Sequence, residues 1–192
     1  EQVDHTLGMT PAIYRRGAPD VAIAYTICET WIGWLLAAQT RRGLCAVGLY
    51  DSPQAAESAL RAEFPAADVR QDDAALADRV HAIVAHLDGR PASLDLPLDV
   101  QATAFQQRVW QALRAIPSGE TRTYSQIAAA IGEPAAVRAV ASACAHNHAA
   151  LVIPCHRVIG KDGSLAGYRW GIQRKRALLE LEAQHHPEPA SG

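Results

Sequence analysis

The sequence is short of cysteine, and its few cysteines lack the spacing that builds a metal site. Cys28, Cys45, Cys144 and Cys155 form no C-x-x-C pair. Structural zinc sites are built on such pairs, so we expect no metal. A disulfide framework is not expected at this chain length either, and reduced thiols in a cytoplasmic compartment are the simpler interpretation. We expect Cys28 and Cys45 to be core residues.

Long hydrophobic runs are also missing. No stretch approaches the roughly 18 apolar residues of a membrane span, so we expect no membrane partner. An apolar fraction of 49% with 20% charged residues is typical of a globular protein. The chain begins with Glu1 rather than methionine, and we expect it to be a fragment or a processed chain.

The net charge of −2 conceals an uneven distribution of acidic and basic residues. Residues 1–100 carry 8 Lys/Arg against 14 Asp/Glu, whereas residues 101–192 carry 10 against 6. This asymmetry indicates that only the C-terminal half binds a polyanion, with ordinary surface scatter as the alternative.

The N-terminal half has the pattern of an α+β domain, which we place at residues 18–90. Three runs rich in Val, Ile, Tyr and Trp are separated by short polar or glycine-containing turns and predict a small antiparallel sheet. These runs lie at residues 21–28, 31–39 and 44–50.

Two helices follow the predicted strands. One is expected at residues 53–63, after Ser-Pro, and one at 73–87, where apolar residues recur on one face. His81 and His86 of the second helix are interpreted as surface or packing residues. Residues 91–100, with prolines and alternating leucines, predict a connector that packs as a strand.

From Thr103 the pattern becomes helical, and residues 101–184 predict an all-α second domain. A short helix at 126–131, a glycine turn and a helix at 135–145 started by Pro134 form a helix-turn-helix arrangement. The second helix is rich in alanine and therefore slim enough to approach a narrow groove. A small-residue helix buried against a sheet is the alternative. A last helix is expected at residues 173–183, and residues 185–192 are expected to be a disordered tail.

The most specific chemical signal is the IPCHRV stretch at residues 153–158. Cys155 is followed directly by His156 and Arg157, and neighbouring cations of this kind can stabilise a thiolate. The alternative is an inert structural cysteine, which is the commoner fate of a buried thiol.

Asn147, the IPCHRV stretch and the GYRWG loop at residues 167–171 together resemble the O6-alkylguanine-DNA alkyltransferase family. The likeness covers about residues 103–182 and is strongest to the C-terminal half of Ada adaptive-response proteins. It implies a ribonuclease H-like first domain and a winged-helix-like helix-turn-helix second domain. The GMTPAIYR string within residues 1–17 resembles the end of AraC-type helix-turn-helix domains, so this segment is interpreted as the remnant of an upstream domain.

The resemblance implies a single-turnover DNA repair reaction in which an alkyl group moves irreversibly from O6-alkylguanine to Cys155. O4-methylthymine stays open as a second substrate. The base is flipped out from the minor groove before transfer. His156 takes the thiol proton through a water, Glu182 orients His156, and Asn147 braces the motif. Tyr124 protonates the guanine as it leaves.

The same resemblance assigns Arg138 to intercalation at the position that the flipped base vacates. The other DNA-facing residues that it implies are Thr123, Ser125, Ala136, Ala139 and Ala141. The pocket residues that it implies are Pro154, Val158, Tyr168, Arg169 and Trp170. Animal members carry serine in place of Arg169 and glycine in place of Trp170, so we expect slow reaction with O6-benzylguanine.

The expected partner is double-stranded DNA with alkylated bases, bound by a monomer without metal or organic cofactor. Two other functions are weighed. A damage-recognition module that transfers nothing would not need the nucleophile Cys155. A cysteine hydrolase would need a better geometry than adjacent Cys155 and His156 give, together with an oxyanion-binding element.

Overall fold

The computed structural model describes residue 14, residues 16–165 and residues 167–185. Most of the predicted AraC-like remnant and nearly all of the predicted tail lie outside these residues. The chain packs as two compact units, one running to His81 with Asp95–Ala102 and the other holding Ala82–Leu94 and the chain from Thr103. Within the described ranges, no helix is long and apolar enough to cross a membrane.

A four-stranded sheet forms the centre of the first unit. Its strands are β1 (Ala22–Thr30), β2 (Gly33–Gln39), β3 (Leu44–Tyr50) and β4 (Asp68–Gln71). Their order is β3-β2-β1-β4, with β1, β2 and β3 antiparallel and β4 parallel to β1. The predicted strands are confirmed, and the short polar β4, which the sequence analysis did not predict, makes the sheet mixed.

Helix α1 (Pro53–Glu63) covers one face of this sheet. Ser52 caps the helix by accepting a hydrogen bond from the backbone N–H of Ala55 at 3.1 Å, and proline suits the first helical turn. The buried cluster beneath it contains Ile23, Tyr25, Leu36, Cys45, Leu60, Phe64 and Val69 among others. The apolar run in β2 is buried on both faces of the sheet, as in a central strand.

The two N-terminal cysteines differ in burial. Cys45 is 3% exposed in the core, as predicted. Cys28 is only partly buried, so its assignment to the core is wrong. It pairs with Leu35 close to the turn of the β1–β2 hairpin.

The connector packs against β3 as the sequence analysis predicts. Leu98 forms a parallel bridge with Leu44, whose N–H and C=O bond to Pro97 and Asp99, each at 2.8 Å. A Cβ at Gly43 would lie 2.5 Å from the Pro97 oxygen, so the close approach of the two segments requires glycine there. Helix α2 (Asp73–Leu87) lies before the connector and has the predicted bounds.

Among the described residues from Thr103 onward, the second unit contains the helices α3 (Ala104–Arg114), α4 (Tyr124–Ala130), α5 (Val137–Ala145) and α6 (Ile172–His185). Capping boxes start α3 and α4, with Thr103 and Thr123 each exchanging hydrogen bonds with the glutamine three residues later. The indole N–H of Trp110 donates to the Ala143 carbonyl at 3.0 Å and joins α3 to α5. The predicted fold class is confirmed.

The start of α5 differs from the prediction. Pro134 does not begin the helix but lies in a turn closed by the N–H of Ala136 and the carbonyl of Glu133 at 2.8 Å. The helix begins at Val137, with Ala136 as its cap and without a side-chain cap. Proline is equally favourable in a tight turn, which is why the sequence alone misplaced this boundary.

A short parallel pair of strands positions the functional stretch. Strand β5 (Arg122–Thr123) precedes α4 directly, and β6 (Val158–Ile159) follows a single-turn 3-10 helix (Cys155–Arg157) directly. Arg122 pairs with Val158 and Thr123 with Ile159. This pairing fixes the start of α4, with Tyr124, next to the turn that carries Cys155.

Candidate active site

A pocket of about 450 Å³ opens in the second unit beside Cys155. Its described lining consists of Tyr124, Ala141, Cys144, Ala145, Cys155, Gly167, Tyr168 and Arg169. The predicted pocket residues Tyr168 and Arg169 therefore belong to the lining. Pro154, Val158 and Trp170 are buried and are not among the described lining residues.

A strained turn delivers Cys155 to the pocket. Leu151 has a φ of 70°, which is costly for a residue other than glycine, and the N–H of Val152 bonds to the Ala150 carbonyl across it at 2.8 Å. A second tight turn follows, in which the Cys155 N–H bonds to the Ile153 carbonyl at 2.8 Å around Pro154. Strained backbone of this kind persists only where the surroundings hold it, and it is concentrated at functional sites.

Asn147 holds this turn from inside. It is fully buried, and its amide nitrogen donates to the Ile153 carbonyl at 2.8 Å and to the Cys155 sulfur at 3.1 Å. Its amide oxygen accepts from the Ala149 N–H at 2.8 Å. One side chain therefore binds both ends of the turn and the sulfur itself, which matches the bracing role expected for it.

The Cys155 thiol is buried, and it is protonated in the resting protein. Burial raises its pKa to about 11, although the hydrogen bond from Asn147 and the positive charges of Lys175 and Arg169 oppose the rise. The neighbours expected to stabilise a thiolate bind elsewhere, because the hydrogen bonds of His156 and Arg157 go to Glu182 and to the Ile116 carbonyl. The thiol must therefore lose its proton when it reacts.

Glu182 lies at the centre of a buried network. Its Oε1 accepts from His156 Nε2 at 2.9 Å and from Arg157 Nη2 at 2.8 Å. Its Oε2 accepts from Arg157 Nε at 2.9 Å and from the Gly119 N–H at 3.2 Å. Burial alone would raise the pKa of Glu182, but its interactions with His156, His86 and Arg157 outweigh it and hold the pKa well below its usual range.

The network determines which nitrogen of His156 can take a proton. Since Nε2 faces a carboxylate, it carries the hydrogen, and Nδ1 of the neutral ring has a free lone pair. Nδ1 is buried without a hydrogen-bond partner among the residues that the structure describes. Burial lowers the pKa of His156 while Glu182 opposes this, so we expect a neutral ring whose Nδ1 can act as a base.

Sequence reasoning missed three members of the site. Arg157 was noted only as a neighbour of the thiol, and its bidentate ion pair with Glu182 depends on a residue 25 positions away. His86, interpreted as a surface or packing residue, is largely buried, and its Nε2 lies 3.3 Å from Glu182 Oε1, a contact that the sequence analysis did not predict. Lys175 is fully buried, and its ammonium donates to the Val158 carbonyl at 2.6 Å. No sequence pattern marks the last two.

Tyr124 lines the pocket and keeps its phenolic proton. Burial, together with the negative charge that Cys144 and Cys155 would carry as thiolates, raises the pKa of Tyr124 to about 12. The hydroxyl therefore keeps the proton that a donor needs. The neighbouring Thr123 uses its hydroxyl as the cap of α4, and Ser125 lies 2.9 Å from that hydroxyl.

Helix α5 presents a slim surface of small side chains. Arg138 and Ala139 are exposed, Ala136 is half-buried, and Ala141 forms part of the pocket lining. The helix buries only Val140, Ala143 and Cys144. It packs against α3 and α4, so the alternative of a small-residue helix buried against a sheet is wrong.

Two family models cover most of the chain. The ribonuclease-like domain of 6-O-methylguanine DNA methyltransferase matches residues 23–100, and the DNA binding domain of the same enzyme matches residues 104–184. The chain belongs to the 6-O-methylguanine DNA methyltransferase family.

Relatives of this methyltransferase family support the assignment. The chain is 51% identical over 181 residues to the regulatory protein Ada of Salmonella typhimurium, which covers 94% of the chain and 51% of that protein. It is 52% identical over 116 residues to a methylated-DNA–protein-cysteine methyltransferase of Mycobacterium tuberculosis, covering 60% of the chain and 70% of that protein. The chain spans about half the length of the Ada proteins it matches.

A solved structure of the methyltransferase family has the same fold. The crystal structure of Mycobacterium tuberculosis OGT in complex with DNA matches with a TM-score of 0.72 and 39% identity. The match covers 88% of the chain and 96% of that structure.

The two departures from the animal methyltransferase pattern lie in different places. Arg169 lines the pocket, and its guanidinium lies 3.2 Å from Nδ1 of His148 and over the Trp170 ring. Trp170 is 6% exposed, and its ring packs edge-on against Tyr168 with centroids 5.3 Å apart. Trp170 therefore supports a pocket wall and does not stand at the rim, so any hindrance of large alkyl groups must act through Tyr168.

Proposed function

We propose that this chain repairs alkylated DNA by moving the alkyl group from O6 of guanine to the sulfur of Cys155. The observation that carries the proposal is a buried cysteine at a pocket, with Asn147 bonded to its sulfur and a His156–Glu182 pair beside it. The curated relatives named methylated-DNA–protein-cysteine methyltransferase support it.

The reaction is a single displacement at the alkyl carbon. The Cys155 sulfur forms a C–S bond as the C–O6 bond breaks, and the electron pair of that bond leaves with the guanine. The thiol proton goes to Nδ1 of His156 through a water, and the phenol of Tyr124 hydrogen-bonds to or protonates the leaving guanine. The thioether product has no leaving group that water can displace readily, so each molecule acts once.

The protonation states support this order of events. With the thiol protonated and His156 neutral at rest, Nδ1 of His156 has an unshared electron pair that can accept the proton, while Nε2 bonds to Glu182. The buried carboxylate of Glu182 favours the imidazolium that forms. Lys175 and Arg169 lower the pKa of Cys155 and so favour the thiolate in the transition state.

The slim surface of α5 is proposed to enter the minor groove of duplex DNA. Ala136, Ala139 and Ala141 would allow close approach, with Thr123 and Ser125 at the start of α4 beside the backbone. Arg138 would fill the gap left by the flipped base. Ala141 and Ala145 lie one and two turns along α5 from Arg138 and line the pocket, so a flipped base would have a short path to Cys155.

Removal of the nucleophile tests the proposal. Cys155→Ser is expected to bind a duplex containing O6-methylguanine while leaving the lesion intact, as measured by lesion loss and by fluorescence anisotropy. Cys144→Ser, the matched change at the other thiol of the pocket, should still remove the methyl group. Lesion loss in Cys155→Ser would move the acceptor elsewhere, and Cys144 would be the first residue to test.

A non-catalytic recogniser of alkyl damage is not favoured, because binding alone needs neither the sulfur nor the buried base. We propose a monomer that acts in the bacterial cytoplasm without metal or organic cofactor. O4-methylthymine is a second candidate lesion. The further activities of the longer Ada relatives, such as the transcriptional activation named for the Escherichia coli protein, are not proposed for this segment.

A further inference from the structure

Glu182 Oε1 has one more nitrogen neighbour than it can bind well. His156 Nε2 and Arg157 Nη2 lie 2.9 and 2.8 Å from this oxygen, and His86 Nε2 lies 3.3 Å from it. A carboxylate oxygen has two lone pairs in its plane, and two donors fill them. The contact of His86 is accordingly close but lacks hydrogen-bond geometry, which leaves its buried Nε2 without another partner in the described part of the chain.

His86 and His156 contact the same carboxylate, that of Glu182. His86 lies in the last turn of α2, with its side chain 13% exposed. Among the described residues, Glu182 of α6 is the charged group in contact with it, and His156 and Arg157 of the 3-10 helix bind the same carboxylate.

Other titratable groups near the end of α2 are engaged elsewhere. Asp88 and Arg90 pair with each other at the exposed end of α2. His185 packs over Gly89 and hydrogen-bonds to the Leu181 carbonyl. Within the described residues, Glu182 is therefore the anion that His86 contacts.

We propose that His86 is a positioning residue that, when protonated, draws Glu182 away from His156 and slows methyl transfer in acid. The inference rests on the proposed role of His156 as the base. With His86 neutral, the negative charge of Glu182 and the positive charge of Arg157 cancel. The imidazolium formed on His156 during the reaction is then the one positive charge added to this buried cluster. With His86 protonated, that imidazolium is a second added charge beside the same carboxylate, and like charges in a buried cluster disfavour each other.

Histidine is the residue type whose charge changes most readily in mild acid. A positive charge on His86 lowers the pKa of His156 and so makes it a weaker base. A weaker base on Glu182 means slower removal of the thiol proton. The transfer rate of this chain should therefore fall more steeply in acid than it would with Cys155, His156 and Glu182 alone.

The test compares neutral replacements with the native histidine. His86→Gln keeps an N–H donor near the position of Nε2 but carries no charge at any pH, and His86→Asn is a second neutral variant. His81→Gln is the matched control, because His81 is exposed on the same helix. Single-turnover transfer from a duplex containing O6-methylguanine is measured at saturating DNA between pH 5.5 and 8.5, with duplex affinity measured separately.

The quantity compared is the ratio of the transfer rate at pH 8 to that at pH 5.5. Both neutral variants are expected to lower this ratio by about threefold or more relative to the native chain, because neither can place a positive charge beside Glu182. His81→Gln should keep the native ratio. A native ratio in both His86 variants would overturn the inference, and so would slower transfer by the same factor at every pH, which a merely structural role produces.

These outcomes are separable from the fate of the proposed function. If the native chain transfers no methyl group to Cys155, the proposed function fails and the role of His86 fails with it. If the native chain transfers normally and the pH profiles coincide, only the role of His86 is lost.

Discussion

Glu182 shows how much of the site depends on one buried charge. The side chain of Glu182 is 2% exposed, and its carboxylate neutralises the charge of Arg157 and hydrogen-bonds to His156. Removing one partner of a buried ion pair leaves the other charge without compensation, which is more destabilising than the pair itself is stabilising. The residue therefore links the stability of the second unit to its chemistry.

Glu182→Gln is expected to lower the free energy of unfolding by about 3–5 kcal/mol at pH 7, because Arg157 loses its buried counter-ion. The carboxyl has a pKa below its usual range in the folded protein. Its contribution is therefore present above its unfolded pKa and is lost as the pH falls. Urea unfolding should show the native chain and the variant converging in acid. Glu180→Gln, an exposed change in the same helix, should have little effect, and an equal loss in both variants would contradict the account.

The sequence predicted which residues meet around Cys155 better than it predicted their environment. The motif identified Cys155, His156 and Asn147 because their types and spacing are local. It did not reveal that the thiol pKa is raised to about 11, because that rise comes from burial by residues distant in the chain. His86 and Lys175 were missed for the same reason, since each acts through a single tertiary contact.

At the scale of elements, the placement of α5 matters most. Arg138 and the pocket residues Ala141 and Ala145 follow one another along α5 at spacings of three and four residues, which places them on one side of the helix. The β5–β6 pair fixes Tyr124 opposite Cys155. A surface for the duplex and a pocket for the base are therefore built on the same short stretch of chain.

Arg138→Ala should lower the transfer rate with duplex substrate by about tenfold while leaving the reaction with free O6-methylguanine nearly unchanged. The reason is that filling the vacated stack offsets a flipping cost of a few kcal/mol, which free base does not incur. Arg176→Ala, which removes an exposed arginine from α6, is the matched control. Equal losses with duplex and free base would remove Arg138 from the flipping step.

The elements were predictable where local chemistry marks their ends. Ser52 with Pro53, and Thr103 before α3, signal helix starts that the structure confirms, whereas α4 begins at Tyr124, two residues before its predicted start. Strand β4 was missed because its four residues have no apolar alternation and are stabilised by parallel pairing with β1. The start of α5 was misplaced because Pro134 suits a turn as well as a helix.

At the scale of the whole molecule, the buried thiols make the free energy of unfolding fall as the pH becomes alkaline. Burial raises the pKa values of Cys45 and Cys144 to about 12 and that of Cys155 to about 11, from a usual value of 9.0. Each thiol ionises in the unfolded chain before it does so in the folded protein. Stability is therefore intact below pH 9 and falls as the pH rises from 9 toward the folded values.

Cys45→Ala removes one of these thiols, at a position outside the pocket, and so measures its contribution separately. Between pH 8 and pH 10, the native chain should lose about 1.4 kcal/mol more unfolding free energy than this variant, the value of one pKa unit. Urea unfolding of the first unit at both pH values measures the difference. Cys28→Ala, a change at a partly exposed thiol, should reduce the loss by less. The same loss in Cys45→Ala as in the native chain would contradict the prediction.

The central claim is that Cys155 accepts the alkyl group. The direct measurement is the intact mass of the chain after incubation with one equivalent of duplex containing O6-methylguanine, followed by peptide mapping. The account predicts a gain of one CH₂ in nearly every molecule, located on the peptide that carries Cys155, with no further gain when more duplex is added. An unchanged mass with the duplex still bound would contradict the account and leave damage recognition as the function.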